Sequence, residues 1–342
     1  MKRTFILFAV VFAILILSAC TRSALGAPTP LATPMLLSTP TVAAATLPPM
    51  ASAAPVVANA TPTLNLPAVT SAPAGSTAVP GAVVATAVPG VIQPGLPSGP
   101  YGVILVAAGD ALNVRSAAGT GGSIIGTFTA TANNVMRTGP SITVNNTLWV
   151  QVIAPSSGTG WVDAVYLTEY VAPATFCADG RVNTLLNNFG NAVKSSNGGA
   201  LDPLVSPFHG MAVRLWRNGN AVVFDQAHAQ WIFTSTFTHD WGAAPGSGLD
   251  TVGDIHAEVV PKWLDVFNAP TPGYTLSCNS PQTGGASYDT SWPKPYANVN
   301  FYSIYKPGPA GNENSWRTLL VGVEYVQNQP YIFSVTQLQW EP

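Results

Sequence analysis

Residues 23–109 contain no acidic or basic side chain, and a stretch of this composition is not expected to build a folded core. From Ser23 to Gly109 there is no Asp, Glu, Lys, Arg or His, and the segment is rich in Pro, Ala, Thr, Val, Ser and Gly. Pro lacks the amide proton that helices and sheet ladders need, and at this density it favours extended polyproline segments. We therefore predict a disordered Pro/Ala/Thr-rich linker over residues 21–100. Thr and Ser beside Pro suit O-glycosylation, and an unmodified spacer is the alternative.

The first twenty residues are typical of an export signal. Lys2 and Arg3 precede an apolar run from Phe5 to Leu17, which is too short to span a bilayer comfortably. The run ends in Leu17-Ser18-Ala19-Cys20, which resembles the lipobox of bacterial lipoproteins. The resemblance implies cleavage before Cys20, attachment of lipid such as palmitate to Cys20, and an outward-facing protein held on the cell membrane. The alternative is an ordinary cleaved signal peptide in which Cys20 is incidental.

The charge of the chain argues against one class of function, and its cysteines predict a covalent cross-link. The net charge is −2 and no basic cluster occurs, so binding of nucleic acid through its phosphates is not expected. The chain has three cysteines, and lipidation of Cys20 leaves Cys177 and Cys278. In an exported protein such a pair predicts a disulfide, which would close a loop of about 100 residues. Two buried free thiols are the alternative.

Residues 101–172 alternate short β-rich runs with turns, a pattern that predicts a small all-β barrel. The runs include Leu112-Asn113-Val114-Arg115-Ser116, Ile125-Gly126 and Gly160-Trp161-Val162. Together with Gly119, Trp149 and Tyr166-Leu167, they resemble the bacterial SH3-like (SH3b) domain. That family consists of non-catalytic modules, many of which bind cell-wall peptide or glycan. Trp149 and Trp161 are candidates for such binding, although both also suit a barrel core, and Arg115 is expected to hold a loop.

Residues 173–342 predict an α+β domain with a curved antiparallel sheet, which could have the NTF2-like cone shape. After a possible cap at Asp179, apolar residues recur at helical spacing up to Val193. Arg217-Asn218-Gly219-Asn220 lies between two β-rich runs and predicts a hairpin. A second helix is expected over 253–267, and three strands over 299–306, 316–326 and 331–340.

Three stretches of this domain resemble a family of uncharacterised bacterial surface lipoproteins. They are Ser206-Pro207 with His209-Gly210, Trp241-Gly242 with Gly246-Ser247-Gly248, and Ser315-Trp316-Arg317 with the terminal Gln339-Trp340-Glu341-Pro342. The family has no established activity, so this resemblance implies a surface location and little more.

The four histidines, which are His209, His228, His239 and His256, lie in this domain near several acids. Their spacing matches no metal-binding helix motif, and we predict neither a metal site nor a cofactor. No nucleophile motif occurs, and we assign no catalytic residue. Trp241, His239 and Asp240 are the candidate ligand-binding residues. His239 and Asp240 also fit capping or loop roles, and Trp241 also fits the core.

These patterns predict a lipid-anchored envelope protein with a non-enzymatic binding role. Its expected partners are membrane lipid, through Cys20, and peptidoglycan or another cell-wall polymer, through the SH3-like domain. One alternative is a secreted cell-wall or glycan hydrolase with its site in the C-terminal domain. A structural spacer or assembly subunit is the other.

Overall fold

The structure, a computed structural model, describes residues 100–270, 273–285, 288–290 and 292–341. The predicted signal peptide (1–20) and the predicted linker (21–100), apart from Pro100, lie outside the described residues. In the described part of the chain, no helix combines the length and the apolar character needed to cross a membrane.

The first folded part, the β unit, extends from residue 101 to 169 and is built from short strands. They are β1 (Tyr101–Val103), β2 (Ala111–Arg115), β3 (Ile124–Thr129), β4 (Arg137–Val144), β5 (Thr147–Ile153), β6 (Thr159–Asp163) and β7 (Leu167–Glu169). Five of them form a sheet in the order β3-β2-β6-β5-β4, and β1 pairs with β7. Alternate residues such as Val114, Val150, Val152 and Val162 fill the core.

The second unit contains the helices and a larger sheet. Its helices are α1 (Pro173–Ala178), α2 (Gly180–Lys194), α3 (Gly198–Leu201), α4 (Gln226–Ala229), α5 (Ile255–Glu258) and α6 (Val260–Phe267). Its strands are β8 (Met211–Arg214), β9 (Ala221–Phe224), β10 (Thr238–Ala243), β11 (Asp250–Asp254), β12 (Thr275–Cys278), β13 (Asn300–Lys306), β14 (Arg317–Val326) and β15 (Gln329–Gln339).

Six strands of the second unit form one sheet in the order β12-β13-β14-β15-β8-β9. The described residues are mostly β-sheet with few helices, which agrees with the predicted broad class of an all-β part followed by an α+β part. The prediction of a purely antiparallel sheet is wrong in one place, because β15 and β8 are parallel. Met211 and Val213 on β8 are fully buried, as is usual for a strand in a parallel pair.

Local sequence signals explain the principal helix and the last hairpin. The Asp179 carboxylate accepts a hydrogen bond from the backbone N–H of Arg181, which caps the start of α2. Gln327 and Asn328 both have positive φ between β14 and β15, which suits the right-handed twist of a two-residue hairpin turn. The predicted single helix over 253–267 is wrong at its start, because β11 continues to Asp254 and two short helices follow.

The two faces of the six-stranded sheet have different coverings. Helices α2 and α6 pack on one face, where Phe189 meets the rings of Trp263 and Phe267. On the other face, Trp292 stacks on Phe301 with ring centroids 4.4 Å apart. Residues of β14 alternate between these faces, so Val323 and Tyr325 join the core on the helical side. Glu324 points to the opposite side, where it meets the β unit.

The β unit and the second unit are joined by buried contacts as well as by the chain. Ile104 of the β unit is fully buried in a cluster with Tyr296 and Phe333. The buried side-chain amide of Asn298 donates hydrogen bonds to the backbone oxygens of Val103 and Ala132, at 2.8 and 2.9 Å. The described residues consequently belong to one compact unit.

Candidate functional sites

A groove of about 450 Å³ opens on the surface of the β unit. Strand register explains its lining, because Val150 and Val152 face the core while Trp149 and Gln151 face the other way. Trp149 pairs with Asp163 across β5 and β6. The remaining lining comes from β2, from the loops on either side of it and from Tyr166.

Two carboxylates give the groove its charge. Asp110 and Asp163 both line it, and each accepts a hydrogen bond from a nearby backbone N–H. Partial burial raises the pKa of Asp163 above its usual range, against the opposing effect of the Val165 N–H. Arg115 also lines the groove, but its guanidinium donates hydrogen bonds to the backbone oxygens of Thr120 and Gly122. The prediction that Arg115 holds a loop is therefore confirmed, and the groove has two carboxylates against one guanidinium, a balance that favours a cationic group.

A second site is a buried polar junction between the β unit and the second unit, formed by Thr168, Ser206, His209 and Glu324. Ser206 donates a short hydrogen bond to one oxygen of Glu324, and His209 Nδ1 lies 2.6 Å from the other. Thr168 of the β unit lies 3.4 Å from that second oxygen. The side chains of His209 and Glu324 are 3% and 1% exposed, so water contributes little to their stabilisation.

The loop that carries Ser206 and His209 is fixed by its own hydrogen bonds. Ser206 accepts from the backbone N–H groups of Phe208 and His209, and its own N–H donates to Ile332 of β15. Gly210 ends the loop at φ +72°, where an added Cβ would lie 2.8 Å from the backbone oxygen of Phe224. Ser206, His209 and Gly210 thus belong to one rigid loop, and this loop places His209 against Glu324.

The junction contains the residue types of a serine hydrolase triad, but its hydrogen bonds are arranged differently. In a triad the serine donates to the histidine, which accepts its proton. Here Ser206 donates to Glu324, and His209 Nε2 lies 3.0 Å from the backbone oxygen of Val165. Because a carbonyl only accepts, Nε2 carries a proton, and Nδ1 is the ring nitrogen that faces Glu324. Neither ring nitrogen is directed at Ser206, and the cluster joins two folded units.

Strand β10 contains three other predicted ligand-binding residues, which are His239, Asp240 and Trp241. Their side chains have different surroundings. Trp241 is fully buried, and its ring N–H donates to the backbone oxygen of Gly253 at 2.9 Å. The prediction that Trp241 binds ligand is wrong, because its side chain belongs to the core. His239 packs edge-on against Trp241 and Phe237, and burial lowers its pKa. The Asp240 carboxylate accepts from the N–H of Gly242.

Trp161, which was predicted as a binding residue, and Asp225, one of the acids near the histidines, lie apart from these sites. Trp161 is half-buried on β6, where it pairs with Arg115 and Gln151. The Asp225 carboxylate accepts from the N–H of His228 at the start of α4. The described part of the chain contains no group of three or more His, Cys, Asp or Glu residues able to hold a metal ion.

Cys177 and Cys278 form the predicted disulfide, with Cα atoms 5.8 Å apart. The bond joins α1 to the edge strand β12, across 101 residues of sequence.

The role of Glu324 in the junction was not predicted, although its position in the sequence is unusual. It is the single charged residue in the run Leu319-Leu320-Val321-Gly322-Val323-Glu324-Tyr325-Val326. A charge inside a strand that is otherwise apolar needs a buried partner. The sequence does not show which partner, because His209 and Glu324 are 115 residues apart.

Comparison of the chain with protein-family models, with curated proteins and with solved structures gave no significant match.

Proposed function

We propose that this chain is an exported lipoprotein, held on the outer side of the cell membrane through Cys20, which binds cell-wall or other envelope material. The observation that carries the binding role is the groove of the β unit, with Asp110 and Asp163 in its lining. The groove has the volume of a small-ligand site and is lined by Trp149 and Tyr166 as well as by the carboxylates.

The finer fold assignments are part of this proposal. The order β3-β2-β6-β5-β4 with a short β1–β7 pair supports an SH3-like domain. Its characteristic residues occupy neighbouring strands, with Asn113 and Arg115 on β2 and Trp161 on β6. For the second unit, helices on one face of a larger sheet support an NTF2-like shape, while the parallel β15–β8 pair departs from the antiparallel sheet expected.

We propose that the groove recognises an amino group on the peptide part of the wall material. A carboxylate that is already partly desolvated gains from a cationic partner, and Asp163 is in that state. Tyr166, which is half-buried, offers apolar surface beside the charges, whereas Trp149 is only 5% exposed and contributes little. We prefer binding to hydrolysis because the acids that a hydrolase would need do not converge. Glu324 is buried at the junction, whereas Asp225 and Asp254 cap helices.

Asp110→Asn is expected to weaken retention of the full chain on purified cell-wall material by about threefold, because the exposed Asp110 carboxylate no longer contributes its charge to the groove. The readout is the fraction of protein that sediments with the wall material. Retention is also expected to fall as the pH is lowered through the raised pKa of Asp163, since the ion pair requires the carboxylate. Asp250→Asn on the exposed β11 strand is the matched control. Equal retention of both variants and the wild type would remove the groove from the proposal.

Cys20→Ser is expected to abolish lipid attachment and to move the protein out of the membrane fraction, or to leave the signal peptide uncleaved. The physical reason is that the serine hydroxyl cannot replace the thiol as the lipid acceptor. Labelling with a fatty acid, followed by fractionation, measures both effects, and Cys177→Ser is the matched control. Unchanged labelling of Cys20→Ser would refute the anchor.

A further inference from the structure

Leu105, which lines the groove of the β unit, has an unusual backbone conformation. Its φ is +60°, in the left-handed region that Gly and Asn adopt readily and that is uncommon for other residues. Its side chain is 37% exposed, so burial in a core does not explain an apolar residue here either. Strained residues of this kind occur at functional sites, and this one lies in the lining of a candidate site.

Contacts on both sides of Leu105 enforce this conformation. Ile104 is fully buried in a cluster with Tyr296 of the second unit, whereas Val106 belongs to the core of the β unit. Residues two apart in an extended strand share one face, so the chain must turn at Leu105 for its two neighbours to enter different clusters. The N–H of Leu105 donates to the backbone oxygen of Pro295 at 2.8 Å. The second unit therefore helps to fix the backbone from which the Leu105 side chain enters the groove lining.

The two carboxylates of the groove are connected to Leu105 through short segments of chain. Asp110 lies on the same loop, directly before β2. The Asp163 carboxylate caps the short helical turn Ala164–Tyr166, and the backbone oxygen of Tyr166 accepts from the N–H of Ile104 at 2.9 Å. The groove thus combines an exposed apolar side chain with two carboxylates in one lining.

We propose that Leu105 is a specificity-determining residue of the groove, and that the group recognised there is a primary ammonium at the end of an aliphatic chain, as in the side chain of a peptide-bound lysine. This inference rests on the proposed function, which places an amino group beside Asp110 and Asp163. The methylene stem would cover Leu105 while the ammonium reaches the carboxylates, since lysine stems lie on apolar surface and keep their charge with polar partners. An α-amino group has no such stem and would leave Leu105 uncovered.

Two other classes of ligand fit the groove less well. An anionic group would be repelled by Asp110 and Asp163, and the Arg115 guanidinium already donates hydrogen bonds to backbone oxygens. A purely apolar ligand would remove the two carboxylates from water without supplying a counter-charge, which is unfavourable.

The test is a titration of the full chain with two probes at neutral pH. They are n-butylammonium, which is the lysine side chain alone, and methylammonium, which has the charge without the stem. Broadening of the probe's own proton resonances measures its affinity for each variant. We expect the wild type to bind butylammonium about fivefold more tightly, because the stem removes apolar surface of Leu105 from water. In protein labelled at its leucine methyl groups, the Leu105 resonance should shift with butylammonium and hardly with methylammonium.

Substitutions at Leu105 should remove this preference for the longer chain. Leu105→Gly and Leu105→Asn introduce residues that tolerate positive φ, so both variants are expected to fold, which their melting temperatures check. Both should bind butylammonium as weakly as methylammonium and leave methylammonium binding unchanged. Leu249→Ala, an exposed Leu outside the groove lining, is the matched control and should keep the wild-type preference. Asp110→Asn should weaken both probes by a similar factor, because both carry the ammonium.

Equal binding of the two probes to the wild type would overturn the proposal, and so would a preference that survives in both Leu105 variants. If the probes bind equally and Asp110→Asn weakens both, the groove recognises an amino group without Leu105, and the proposed function stands. If neither probe binds, the recognition of an amino group and the role of Leu105 are both refuted.

Discussion

Glu324→Ala is expected to lower the free energy of unfolding by about 3 kcal/mol, since removal of one partner from a buried ionic cluster leaves the others without compensation. His209 Nδ1 and the Ser206 hydroxyl would both lose their hydrogen-bond partner in a place that water does not reach. Thr168 would lose its contact with the second unit. Chemical denaturation of the full chain measures the change. We expect amide hydrogen exchange in β7 to rise more than exchange in α2, because β7 forms the other side of the junction.

Two control variants show whether the loss of stability in Glu324→Ala comes from the junction. In Glu324→Gln, the side-chain oxygen can accept from Ser206 while the amide N–H donates to His209 Nδ1, so most of the stability should remain. Glu313→Ala removes an exposed carboxylate that accepts from the N–H of Gly311, and it should leave unfolding unchanged within error. If Glu324→Ala unfolds too readily to be measured, Ser206→Ala provides a milder loss. A wild-type denaturation curve for both Glu324→Ala and Ser206→Ala would contradict the junction.

Loss of the disulfide is expected to cost about 4 kcal/mol, because the bond closes a long loop and restricts the unfolded chain. For a folded part of this size, the melting temperature should fall by about 10 °C. The double variant Cys177→Ser/Cys278→Ala and reduction of the wild type should give the same shift. A reductant should have no further effect on the double variant, since Cys20 is the only cysteine left.

The structure changes the expected effect of disulfide reduction on the melting of the β unit. The sequence alone suggests that the cysteine-free barrel would be unaffected by reduction. However, Asn298 and Ile104 connect the two units through buried contacts, so we expect one transition that shifts as a whole. Two separate transitions, of which only one responds to reductant, would show that the units unfold independently. Unchanged melting after complete reduction, verified by thiol titration, would contradict the stabilising role of the bond.

Elements with strong local signals could be predicted from the sequence. Helix α2 has both a capping Asp179 and apolar residues at helical spacing, and it begins and ends close to the predicted bounds. The last three strands were also predicted to within a few residues, because each is a long β-rich run beside a turn. Strands β4, β7, β10 and β11 were missed. Strand β4 contains Gly139 and Pro140, which weaken a strand pattern, and β7 has only three residues.

The tertiary structure decided which of the candidate residues come together. Trp241 and Trp149 look alike in sequence, and both side chains are buried, but the position of Trp149 in its sheet also makes it part of a groove lining. His209 and Glu324 meet because β14 presents alternate residues to opposite faces and the β unit covers one of them. Local patterns were sufficient to predict the cap at Asp179 and the turn between β14 and β15, and the cysteine content was sufficient to predict the disulfide. Contacts across 100 residues or more depend on strand order and register, which the local sequence does not contain.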